Sequence, residues 1–308
     1  MIVKPKRSGL TVVEMLVVVA IISLLVGLLL PAVSKVKSMA KEAKQRVQFT
    51  AIDLGLATFK NDYGDYPPSD QFSRLADTGQ TANTSGAQKL AEALLGYDLL
   101  GFHPDSGWRV DGTNRWDYSD DTTTHAPGSY YLYDRLINRE VEKRKDRYID
   151  IDTANVAQFG ITTNHDGLFD LSGFGAWADG ADTYVLCDVF GKGKEVMLAD
   201  GTRRRAGVPI LYYRADTSGK VSEDVYHVRD NADLVFIKEM SDRARKGTAP
   251  AGTWNPLDTG TTFYDLISDP RATTANFPVP HKPDSYILIS AGADGFYGTA
   301  DDICNFQK

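Results

Sequence analysis

Two cysteines in 308 residues provide no disulfide framework, so a hydrophobic core has to hold the fold together. They are Cys187 and Cys304, and outside the cytoplasm they are open either to one disulfide or to two buried thiols. Catalytic signatures are also missing: no G-x-S-x-G, H-E-x-x-H, Walker A or C-x-x-C string occurs. The five histidines, at 103, 125, 165, 227 and 281, have no metal-ligand spacing, and no pair of carboxylates is positioned for glycoside chemistry. The chain therefore reads as a non-enzyme. Basic charge is scarce where a nucleic-acid surface would need it. The first 60 residues hold nine Lys/Arg against three Asp/Glu, a net of +6, so the rest carries -13 of the total -7. A head of that sign argues against phosphate binding and is compatible with hard cations held by carboxylates.

Charge is almost absent from residues 10–31, LTVVEMLVVVAIISLLVGLLLP, where Glu14 stands alone. A helix of this length spans roughly 30 Å, the thickness of a bilayer hydrocarbon core. Lys4, Lys6 and Arg7 precede it, so the positive-inside bias puts the leader in the cytoplasm and everything after Pro31 on the far side. An acid inside a spanning segment costs about 2.5–3.5 kcal/mol on insertion scales and is usually paired. Two readings of Glu14 stand. It pairs with an α-amino group freed at Leu10 by cleavage after Gly9, on its own or a neighbouring subunit, or it is solvated in the headgroup layer.

The string Lys6-Arg7-Ser8-Gly9 followed by L-T-V-V-E-M-L-V-V-V-A-I-I resembles the class III signal of type IV pilins and type II secretion pseudopilins. The resemblance implies cleavage between Gly9 and Leu10 by a prepilin peptidase that also methylates Leu10. It implies that Glu14 neutralises a neighbour's N-terminus during assembly and that Pro31 marks a bend or melted stretch. Leu10 departs from the commoner phenylalanine. An ordinary secretory signal has a shorter apolar region with a small-residue cleavage site after it, so the apolar segment is expected to be retained.

Beyond Pro31, Val36, Ala40, Ala43, Val47, Thr50 and Leu54 recur at spacings of four and three. This narrow stripe is expected to lay the lower helix on a globular head, with a weak coiled-coil dimer as the alternative. Gly64, Pro67 and Pro68 end the helix near Asn61. The phrase LATFKNDYGDYPP at 56–68 is similar to the helix end of G-type major pseudopilins. Composition predicts a short helix within 86–100 with a stop at Gly96, helices at 137–148 and 231–246, and a helical turn at 264–267. Strands are predicted at 130–136, 183–189, 208–214, 225–228 and 284–290. Residues 101–127, with Trp108, Trp116, Asp117, Asp120 and Asp121, read as loop, and 164–182 as loop before cation site. Residues 188–191, DVFG, resemble the Asp-Pro-Trp-Gly turn of G-type pseudopilins, followed here by an insertion at 192–207.

The last strand feeds AGADGFYGTADDI at 291–303. Its glycines let the backbone turn tightly, while Asp294, Asp301 and Asp302 offer hard oxygens from both ends of one loop; a plain Asp/Gly turn is the alternative. The segment looks like the C-terminal calcium loop of G-type pseudopilins. That match implies a structural calcium bound by Asp294 and by Asp301 or Asp302, with the carbonyls of Ala291 and Phe296 as backbone ligands. Cys304 stands near where the family often has a hydroxyl ligand.

The resulting expectation is an α+β pilin fold: a long N-terminal helix packed on a small antiparallel sheet, with inserted loops and short helices. Its parts are a leader at 1–9, a membrane and filament-core helix at 10–33, an amphipathic half at 34–62 and a head at 63–308. By resemblance it is a homopolymer subunit, most specifically the major pseudopilin of a type II secretion system. The implied partners are the peptidase/methyltransferase, an inner-membrane assembly platform, a cytoplasmic ATPase and minor pseudopilins, with the head in the periplasm. A surface pilin or adhesin, or a membrane-anchored binding protein that never polymerises, is the alternative.

Overall fold

The computed structural model describes residues 11–70, 84–108, 113–114, 130–133, 138–161, 166–172, 181–197, 203–246, 255, 257, 260–272 and 277–306. Gly9, Leu10, Trp116, Asp117, Asp120 and Asp121 lie outside them, as does much of the 164–182 loop. The chain divides into two compact units, Met1–Ala43 and Lys44–Lys308.

A helix, α1 (Val12–Tyr63), contributes to both units. In the first unit no described side chain is buried; Val12 is 82% and Leu30 66% exposed. This part is long and apolar enough to cross a membrane. The helix runs through Pro31, the position where the resemblance implies a bend or melted stretch. An interior proline removes one backbone donor and its ring crowds the carbonyl of residue 27, one turn earlier.

In the second unit α1 buries Gln45, Gln48, Phe49, Ile52, Gly55, Leu56 and Phe59, a 3–4 repeat. Each buried aliphatic or aromatic chain on that face stabilises the unit by roughly 2 kcal/mol. The expected stripe is on the other side: Val47 is 66% and Leu54 69% exposed. The buried positions lie two residues from the predicted ones, about 200° around a helix of 3.6 residues per turn. Two of them are glutamines because the head meets α1 with unpaired backbone groups. Gln45 Oε1 accepts the Val189 N–H (3.0 Å), and Gln48 Nε2 donates to the carbonyls of Ala154 and Cys187 (both 2.9 Å).

The helix ends one turn past Phe59. Gly64, at φ 87°, donates its N–H to the Lys60 carbonyl (2.7 Å). Next comes α2 (Gly86–Leu95), closed at the expected Gly96 stop; Ser85 and Gln88 form a capping box at its start. Two short strands, β1 (Thr113–Asn114) and β2 (Tyr130–Tyr131), pair antiparallel, and Leu132 and Tyr133 already turn away from the predicted strand. The charged helix at 137–148 contracts to α3 (Asn138–Lys143), and α4 (Ile151–Ala154) follows on an Asp150 N-cap.

Then β3 (Val156–Gln158) pairs with β4 (Tyr184–Leu186). The 192–207 insertion folds into an antiparallel hairpin, β5 (Glu195–Met197) and β6 (Arg203–Arg205). The main sheet orders β7 (Leu211–Arg214), β8 (Tyr286–Ser290) and β9 (Ile303–Cys304), all antiparallel. A bridge between Cys187 and Pro209, with Ile210 N–H to the Leu186 carbonyl (2.7 Å), joins β4 to its approach.

The predicted strand at 225–228 is instead preceded by one helical turn, α5 (Ser222–Val225), closed by Tyr226 N–H to the Ser222 carbonyl (3.1 Å). Val225 and Tyr226 bury their side chains there without a strand partner. α6 (Arg229–Lys246) matches the predicted helix, and α7 (Gly260–Ile267) extends the predicted turn. One core cluster packs α1 and α2 on the sheet through Phe49, Ile52, Leu90, Leu94, Ile210 and Leu288; a second gathers Tyr213, Leu234, Phe263 and Ile289. The architecture is the expected α+β one: a long apolar helix and small antiparallel sheets.

Candidate functional site

At the start of α1, Glu14 is held by Thr11. Its Oε2 accepts the Thr11 N–H (2.8 Å) and hydroxyl (2.9 Å), while Thr11 Oγ1 accepts the Glu14 N–H (3.3 Å). This reciprocal capping box satisfies donors that the first turn leaves without partners. The T-x-x-E spacing that signals it is visible in the sequence, yet the functional reading of Glu14 passed over Thr11.

The second arrangement is the loop after β8. Gly292, Gly295 and Gly298 have φ of 61°, 82° and 84°, a region side chains rarely adopt. These turns bring Asp294 and Asp301 together, since Asp301 Oδ2 accepts the Asp294 N–H (2.9 Å). Asp294 Oδ1 in turn accepts the Phe296 N–H (2.8 Å), and Asp301 Oδ1 accepts the Thr299 hydroxyl (2.6 Å). Asp302 faces inward, 6% exposed, where Oδ2 accepts the Gly298 N–H (2.7 Å).

Burial and the neighbouring Asp301 charge raise the Asp294 carboxyl above its ordinary range. Burial pushes Asp301 the same way, but hydrogen bonds from Thr299 and the Asp294 N–H hold it lower overall. The two carboxylates thus repel at close range, and a hard cation relieves such repulsion. The Ala291 carbonyl accepts the Gly295 N–H (3.2 Å) and the Phe296 carbonyl the Thr299 hydroxyl (3.3 Å); each keeps a second lone pair. The loop thus offers oxygens of the hard kind, with Asp294 and Asp301 side by side. No group of three or more His, Cys, Asp or Glu that could hold a metal occurs among the described residues.

Buried groups tie this loop to the sheet. The Gly292 N–H bonds Ser290 Oγ (3.3 Å), and that hydroxyl donates to Asp188 Oδ2 (3.3 Å). Asp188 Oδ1 also accepts the N–H groups of Phe190 and Val208 (both 3.1 Å), fixing the DVFG turn. Burial pushes Asp188 up to about 7 despite those bonds. Tyr297, fully buried, donates its hydroxyl to the Pro209 carbonyl, and its N–H bonds Asn255 Oδ1 (3.0 Å). Cys187 and Cys304 are both buried as thiols in the same core cluster.

A family model for the prokaryotic N-terminal methylation motif matches residues 4–30. This supports a type IV pilin-like protein. The prepilin-type segment runs directly into the exposed apolar part of α1, so its processing by a prepilin peptidase, assembly into a filament and anchoring in a membrane are what the motif implies. No curated protein and no solved structure matches the chain.

Proposed function

We propose that this chain is the structural subunit of a type IV pilus-like filament, and within that class the major pseudopilin of a type II secretion system. The single observation that carries the reading is a methylation motif at residues 4–30 that overlaps the part of α1, up to Ala43, in which no described apolar side chain is buried. Surface of that size has to be covered by lipid or by other copies. In the membrane it is covered by lipid; in the filament, helices of neighbouring subunits replace lipid, and burial is retained as the subunit leaves the bilayer. The work of extraction comes from a cytoplasmic ATPase, because this chain carries no nucleotide motif.

The secretion-system assignment rests on the 56–68 helix end and the 291–303 loop. Asp294 and Asp301, with the carbonyls of Ala291 and Phe296, would hold a calcium ion, which would supply positive charge to offset the carboxylates. The chain's own residues do the rest: Ser290, Asp188 and Tyr297 fasten the loop to the sheet, so cation binding stiffens the head. Residues 100–180 and 215–283, which the resemblance leaves uncovered, favour the second reading, a surface pilin in which those regions face outward. Sheared material from secretion-active cells separates the two. Short filaments confined to the periplasm and lost with the secretion ATPase support the pseudopilin, whereas long extracellular fibres support the pilin.

A further inference from the structure

An apolar cleft of about 330 Å³ lies among the approach to β5, the approach to β7 and α6, beside the 291–303 loop, to which Val208, Pro209 and Lys238 connect it, and none of the carboxylates of that loop lines it. Its floor is Leu168, Phe169, Val208 and Pro209. Lys192, Lys194 and Lys238 line it as well, and among the described lining residues Asp170 is the one carboxylate. Asp170 is turned back on its own loop, where Oδ1 accepts the Ser172 N–H (3.1 Å).

Lys238 is 5% exposed, its ammonium 5.3 Å from the Phe296 ring centre and 5.9 Å from that of Tyr297. Its charge also acts on the buried Asp188 carboxyl, so the positive potential offered to a ligand comes mainly from Lys192 and Lys194. Residues 61–308 carry a net -13, so a lysine-rich lining stands against the sign of the surrounding head.

We propose that this cleft binds a small organic carboxylate with an apolar body. The floor disfavours a bare inorganic anion, which would lose hydration against Leu168 and Phe169. The lysines favour an acid over its neutral analogue, because an anion gains attraction from ammonium groups at a partly dry site. The volume is near the lower end for ligand cavities, roughly 300–1,000 Å³, which suits a single ring or a short branched chain.

The test uses the full chain in phosphatidylcholine nanodiscs, titrated with para-trifluoromethylbenzoate and followed by fluorine NMR, with the corresponding neutral benzamide and empty discs as controls. The cleft predicts saturable benzoate binding at least about tenfold tighter than benzamide binding. It also predicts at least about tenfold weakening in Lys192→Glu/Lys194→Glu, with Lys192→Gln/Lys194→Gln intermediate. No saturable binding above empty discs, equal affinity for the two probes, or undiminished binding in both double variants would overturn the assignment.

Discussion

Thr11 and Glu14 satisfy each other at the start of α1, with both Thr11 donors on one carboxylate oxygen at 2.8 and 2.9 Å. Glu14 therefore has a partner in its own chain before it meets any other copy. Helix capping and charge pairing between subunits make different demands on the side chain, and they can be separated.

Glu14→Gln keeps an N3 acceptor and removes the charge; Glu14→Ala removes both. Both variants should insert in the membrane and fail to form filaments, and the alanine should also weaken the first turn by about 1 kcal/mol. The readout is filament yield against membrane-fraction content. Wild-type filament yield from Glu14→Gln would leave capping as the residue's role.

The exposed face of α1 in the second unit gives a second prediction. Val47→Asp or Leu54→Asp should leave thermal unfolding within about 0.5 kcal/mol of wild type, because neither side chain is packed, and should reduce assembly. Ile52→Ala, on the buried face, should lose about 2–5 kcal/mol. Equal destabilisation by all three would show that Val47 and Leu54 are packed after all.

This contrast also marks what could be read in the chain. The membrane-length helix, its stop at Gly64, the helix over 231–246 and the strand over 284–290 follow from local apolar runs and glycine or proline punctuation. The buried face of α1 does not, because Gln45 and Gln48 face the head to satisfy the backbone of Ala154, Cys187 and Val189, residues over 100 positions away. Asp294 was legible as a ligand candidate. Its pairing with Asp301 rather than Asp302 depends on three left-handed glycines whose combined turn no residue count reveals. The β5–β6 hairpin lay in an insertion whose lysines, arginines and glycines give no clear alternation.

Three buried carboxylates contribute to the pH dependence of stability, against the smaller opposing effect of His281, whose imidazole is pushed by burial below its ordinary value. Burial pushes Glu92 to about 7, although the hydroxyls of Ser106 and Tyr133 bond it; burial also pushes Asp188 to about 7 and Asp230 to about 6. Folded-state values raised above unfolded ones mean that the folded protein holds these protons more tightly. Their contribution is present at low pH and is lost as pH rises through 6 to 7. Melting temperature should therefore fall between pH 5 and pH 8, and Glu92→Gln should flatten that fall. A melting temperature that rises steadily over this interval would contradict the assignment.

Excess calcium should raise the melting temperature in proportion to the logarithm of its concentration above the dissociation constant, and chelation should lower it. Asp301→Asn should abolish the response while retaining an acceptor for the Asp294 N–H. An unchanged melting curve with and without chelator would remove calcium from the account.

The central claim is that the N-terminal segment is a processed filament-forming helix, and intact and fragment mass spectrometry of the protein from its native membrane tests it most directly. The account predicts a mature chain beginning at N-methylated Leu10. A chain retaining residues 1–9, recovered only as isolated monomers, would contradict it.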